Sequence, residues 1–167
     1  MCFHTKYKIQ NTKYRFRGFT LVELLIVIGI TATMATVGIG YYMNQQKTKL
    51  LETTAQEIVS YLKYAQQKSI SQEQGLQWGV HFENPSSGQD FYALYTGTTY
   101  SNPIETKYLP EGIEFSIPQT ASSVDISFSK LTGKNYSGTN QSVTILSTFN
   151  NATTTITVSS LGLVTYQ

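Results

Sequence analysis

Cysteine is nearly absent from this 167-residue chain: Cys2 is the only one. If the segment around it were removed, the product could form no disulfide and no thiolate metal site. Charge is missing from a long stretch as well. Between Arg17 and Lys47 the only charged side chain is Glu23. Acids are absent from the first eighteen residues, which hold Lys6, Lys8, Lys13, Arg15 and Arg17. Bases are scarce at the other end, where Lys107, Lys130 and Lys134 are the only ones after Lys68. From residue 19 onward seven bases face ten acids, a net charge of −3 before termini are counted. That balance argues against a general nucleic-acid binder, which needs a basic patch for phosphate. No Gly-rich phosphate loop, metal-ligand spacing or nucleophile constellation occurs. The sequence gives no basis for an enzyme, a cofactor or a metal.

What is present begins with an apolar run. Residues 19–43 carry one charge in twenty-five positions. As a helix they would extend about 37 Å, enough to cross a hydrocarbon core of about 30 Å. The basic segment before them sets orientation, with the N-terminus inside and the C-terminal part exported. Glu23 sits near the start of this run. A carboxylate deep in a membrane helix costs about 2.5–3.5 kcal/mol on insertion scales and usually has a partner. Nothing else in the run can neutralise it. A neighbouring molecule could, as could an α-amino group freed by cutting just upstream. Alternatively, Glu23 simply interacts with the dipole of the helix N-terminus, and both can hold.

Gly29, Gly38 and Gly40 soften the second half of this helix, because Gly costs about 1 kcal/mol relative to Ala. With Thr33 and Thr36, Gly29 and Gly40 also form a stripe of small residues suited to close helix packing. Beyond the run, Leu51, Ala55, Ile58, Leu62, Ala65 and Ser69 recur at four-three spacing. That predicts one amphipathic face on a helix from about residue 41 to about 74, with Gly75 as its stop. Thereafter the period changes to two. Leu76, Trp78, Val80 and Phe82 alternate with polar residues. A loop at 84–90 and a return strand at 91–95 complete a hairpin. Further strands are expected at 113–117, 124–128, 142–146, 153–159 and 164–166. The fold class is α+β: one long helix packed on an antiparallel sheet. His81 falls on the polar side of its strand and reads as solvated. Glu111 and Glu114 read as surface acids. Tyr92, Tyr95, Tyr100 and Tyr108 gather around the middle loops and suit either an ordinary β core or a binding patch.

The stretch Arg17-Gly18-Phe19-Thr20-Leu21-Val22-Glu23-Leu24-Leu25 resembles the class III leader of type IV pilins and type II secretion pseudopilins. An ordinary secretory signal is the competing reading, but it would be cut after its apolar core. The resemblance implies that prepilin peptidase cuts between Gly18 and Phe19 and methylates the new amine of Phe19. It makes Glu23 the acid that sets assembly register. Residues 1–18 become a cytoplasmic leader, 19–43 the transmembrane and polymerisation helix, 44–75 its amphipathic half, and 76–167 an exported β-rich domain, together the pilin ladle. Gly38 and Gly40 fall where many pilin helices pack or lose structure in the filament. The implied function is a structural subunit, the minor reading being preferred, of a type IV pilus or secretion pseudopilus. Its partners would be the peptidase, an assembly platform protein, other pilins or pseudopilins, and membrane lipid before assembly. Leu109-Pro110-Glu111-Gly112-Ile113, Ile126-Ser127-Phe128 with its following Gly turn, and Ile156–Val164 with its Gly turn are similar to the H-type, FimT-like pseudopilins. The lack of bases in the tail sits poorly with DNA uptake, and the lack of cysteine with the bridged loop of many pilins. A major pilin and an anchored binding protein that never polymerises are the remaining alternatives.

Overall fold

A computed structural model describes residues 18–167, with their side chains except at 36–45 and 48. The basic segment with Cys2 and His4 lies outside the described residues. Contacts divide the chain into two compact units at Tyr41 and Tyr42.

Helix α1 spans Leu21–Ile70. Its second part shows why these residues are helical. Leu51, Ala55, Ile58, Leu62, Ala65 and Ser69 are all buried, as the four-three spacing requires. Glu52, Glu57 and Lys63 point to solvent. Burying an Ile or Leu side chain contributes about 1.5–3 kcal/mol, so this stripe secures the helix better than propensity could. Ser69 ends the stripe with a double tie. Its Oγ accepts from the Trp78 N–H at 2.9 Å and donates to the Trp78 carbonyl at 3.2 Å.

The helix stops at Ile70, earlier than the expected 74. Gln72 takes a left-handed conformation (φ 51°), and Glu73–Gly75 form a 3-10 turn. The reversal follows from the Ser69 tie, which holds the start of the first strand against the last helical turn.

Eight strands follow: β1 Trp78–Asn84, β2 Phe91–Thr96, β3 Pro103–Tyr108, β4 Ile113–Ile117, β5 Ser122–Phe128, β6 Gln141–Ser147, β7 Thr153–Val158 and β8 Val164–Tyr166. They form two antiparallel sheets rather than one, in orders β3-β2-β1-β5 and β4-β6-β7-β8. The split arises because β5 returns to β1, with Val80 opposite Ile126 and Trp78 opposite Phe128. That leaves β4 to pair with β6. Strand β3 was not expected from the sequence. Its six residues are all exposed, so it carries no apolar alternation, and Pro103 opens it as an edge strand.

Both sheets and the helix stripe share one core, which includes Ile58, Leu62, Val80, Phe82, Ile126, Val143 and Ile156. Asn84 links the sheets across this core. Its buried side-chain amide donates to the carbonyls of Phe115 and Pro118 at 2.9 and 3.1 Å.

Candidate functional site

Among the described residues nothing crowds the predicted processing junction. Gly18 is exposed, and a Cβ built on it would meet nothing within 4 Å. Phe19 follows at 77% exposure. An accessible backbone without a side chain is what a peptidase needs to approach. The helix starts two residues later than the first apolar residue, for a local reason. The Thr20 hydroxyl accepts from the Glu23 N–H at 3.2 Å, satisfying one of the orphan donors of the first turn. Thr20 and Glu23 stand at capping-box spacing, a signal that sequence reading alone had available and missed.

Glu23 therefore lies in the first turn, where the helix dipole favours a carboxylate. Among the described residues it has no ion-pair partner. Every described side chain from Phe19 to Ala35 is exposed, including Leu21, Leu24, Leu25, Ile28 and Met34. The hydroxyls of Thr31 and Thr33 bond back to the carbonyls of Val27, Ile28 and Ile30, so this surface presents few unpaired polar groups. A contiguous exposed apolar surface of this kind marks a protein or membrane contact. Among the described residues no helix is long and apolar enough to cross a membrane. The predicted span of 19–43 runs on into residues 36–43, whose side chains lie outside the description. Gly29 has open space around it. Gly38 and Gly40 fall within α1, and their surroundings lie outside the described residues.

The structure corrects one sequence reading in the β region. His81 is buried, not solvated. Its Nδ1 lies 2.5 Å from Asp125 and its Nε2 3.2 Å from Glu83, while Tyr100 stacks on the ring at 3.7 Å. Tyr100 lies between β2 and β3 and folds back over the outer face of β1. Tyr92 packs in the shared core, Tyr95 is buried on the outer face of the first sheet under Tyr100, and Tyr108 alone of the four predicted tyrosines is largely exposed. Glu111 and Glu114 are exposed and share a polar cavity of about 580 Å³ with Asp90. Asp90 is already engaged, accepting the Phe115 N–H at 2.6 Å.

Burial pulls the His81 pKa down, but hydrogen bonds from both ring nitrogens to Asp125 and Glu83 outweigh it, and the pKa lies above the ordinary value. A group with a raised folded pKa contributes stability that is complete below the unfolded value of about 6.5. That contribution disappears as pH rises through the higher folded value. Urea midpoints should therefore fall as pH rises from about 6.5 through the raised folded value, and His81→Gln should flatten the slope. An unchanged slope in that variant would remove His81 from the linkage.

The prokaryotic N-terminal methylation motif matches residues 13–39. Prepilin peptidase-dependent protein D of Escherichia coli K12 is 44% identical over 45 residues, which cover 27% of this chain and 31% of that protein. The chain thus spans under one third of the length of that curated relative. Two crystal structures of the type IV minor pilin FimU from Pseudomonas aeruginosa PAO1 superpose with TM-scores of 0.52 and 0.53 at 15% and 14% identity. They cover 70% of this chain, and 92% and 87% of FimU. In its amino-terminal motif and in its α+β fold, the chain is type IV pilin-like.

Proposed function

We propose that this chain is a minor structural subunit of a type IV pilus or of a type II secretion pseudopilus. Prepilin peptidase cuts it between Gly18 and Phe19 and methylates Phe19. The helix that follows holds the subunit in the cytoplasmic membrane, with the β domain outside, until an assembly platform passes it to other pilins. One observation carries the reading: an exposed apolar helical surface with a single acid begins immediately after an open Gly18–Phe19 junction. The likeness to FimU, a minor pilin, supports the minor role. Glu23 pairs with the amine of Phe19 on a neighbouring subunit. Desolvation offsets much of the attraction in such a pair, so it fixes axial register more than it stabilises.

Mass spectrometry of the mature protein should find an N-terminus at methylated Phe19, and Gly18→Val should leave the precursor uncut. Glu23→Ala should be exported and cut normally. Removing one partner of a buried ion pair costs about 3–5 kcal/mol, so its incorporation into sheared filaments should drop by about tenfold or more. A mature N-terminus at Met1 or near Val37 would refute the processing. Normal incorporation of Glu23→Ala would refute the pairing.

A further inference from the structure

A second cavity, of about 370 Å³, opens between α1 and the β2–β3 edge. Tyr61, Tyr64 and Trp78 line it, with Ile104 and the Glu105 carboxylate at its outer side. Tyr61 and Tyr64 are one helical turn apart and share a face. The rings of Tyr64 and Trp78 stand perpendicular, at 87° with centroids 6.4 Å apart, and make a corner. Aromatic faces attract cations, most strongly the face of Trp.

Glu105 gives the cavity wall its negative charge, and a lysine beside it shows what the rings accept. The Tyr61 hydroxyl donates to Glu105 at 2.7 Å, which holds that carboxylate at the cavity wall. Burial first, then Glu105, pushes the Tyr61 pKa upward, and Glu57 nearby adds to this and, after burial, to the rise at Tyr92. The Lys68 ammonium already sits 5.1 Å from the Tyr64 ring centre and 5.9 Å from that of Trp78, with Glu73 as its counter-ion. The aromatic corner thus accepts an ammonium within this same molecule. Lys107 pairs loosely with Glu105 at 3.6 Å and partly offsets its charge. A strongly hydrated inorganic cation gains little from ring faces. A methylated ammonium presents an apolar shell and a diffuse charge, which matches three rings and a nearby carboxylate.

We propose that the cavity bounded by Tyr61, Tyr64, Trp78 and Glu105 binds a quaternary or N-methylated ammonium group. Trp78 is the chain's one tryptophan, so all indole emission arises from this wall. The test uses the full chain in a maltoside detergent, titrated with choline chloride. Binding is read from Trp78 emission and from saturation-transfer NMR of the choline methyl protons. The neutral isostere 3,3-dimethyl-1-butanol should bind about tenfold more weakly, equivalent to about 1.4 kcal/mol. Tyr64→Leu, at a half-exposed position where the fold tolerates change, should weaken choline several-fold, and Lys68→Met should tighten it by removing a competing cation. Reconstitution in phosphatidylcholine rather than phosphatidylglycerol vesicles tests a lipid headgroup as the source, and free choline tests a soluble one. Equal binding of the isostere would make the cavity a plain apolar groove and overturn the proposal. Silence of both readouts with choline, or wild-type choline binding by Tyr64→Leu, would overturn it as well.

Discussion

Gly162→Ala should lower the unfolding free energy by about 3–5 kcal/mol, a large share of the about 5–15 kcal/mol typical of a domain. Gly162 adopts φ +87°, in the turn between β7 and β8. An L-residue there costs about 1–2 kcal/mol by itself. The larger part is packing. A Cβ would lie 2.1 Å from the Gly133 carbonyl oxygen and 2.6 Å from the Gln66 amide nitrogen. The carbonyl belongs to backbone and cannot simply rotate away. Gln66 donates to the carbonyls of both Gly133 and Gly162 at 2.8 Å, joining helix α1 to two turns at once. Displacing it forfeits both bonds, at about 1 kcal/mol each. Gly138 supplies the control. Its φ is +71°, yet a Cβ there meets nothing within 4 Å. Gly138→Ala should show the conformational cost alone, about 1–2 kcal/mol. Urea titrations of the two variants, followed by far-ultraviolet circular dichroism, would separate the terms. Equal losses in the two would contradict the close approach at Gly162.

Leu62→Ala should cost about 2–5 kcal/mol, the range for emptying a fully buried Leu site. Leu62 is completely buried at the middle of the α1 stripe, among residues from both sheets. Such a site cannot collapse from one side only, which places the expected loss toward the upper end. Lys63 is the next residue and faces solvent. Lys63→Ala should change stability by no more than about 0.5 kcal/mol. Denaturation midpoints of the pair measure the contrast. Similar midpoints would mean that the stripe is not the face the helix buries.

The helix stripe was legible because burial on one side of a helix imposes a period that survives in sequence. All six positions from Leu51 to Ser69 obey it, and even the polar Ser69 finds its place through Trp78. The alternation of Trp78, Val80 and Phe82 was legible for the same reason. Strand β3 was not, because an edge strand exposed on both faces leaves no periodic trace. The division into two sheets was hidden too, since the pairing of β5 with β1 is a long-range choice that no local pattern records. His81 was misjudged, and the burial of Tyr95 has the same cause. They face outward from the first sheet, which would normally mean solvent, but Tyr100 covers both rings from the following loop. At the proposed processing junction the residue types at 18, 19 and 23 were visible at once. The aromatic cavity was not, because Tyr64 and Trp78 belong to different elements and meet only after the chain reverses.

The buried row on α1 also bears on mechanical strength. The row runs along the helix axis, with Ser69 hydrogen-bonded to β1 at one end and Gln66, a turn before it, to the β5–β6 and β7–β8 turns. A pull along residues 51–69 would load these contacts together, in shear, rather than opening them singly. Tension carried by this helix would thus be shared between both sheets before either could peel away.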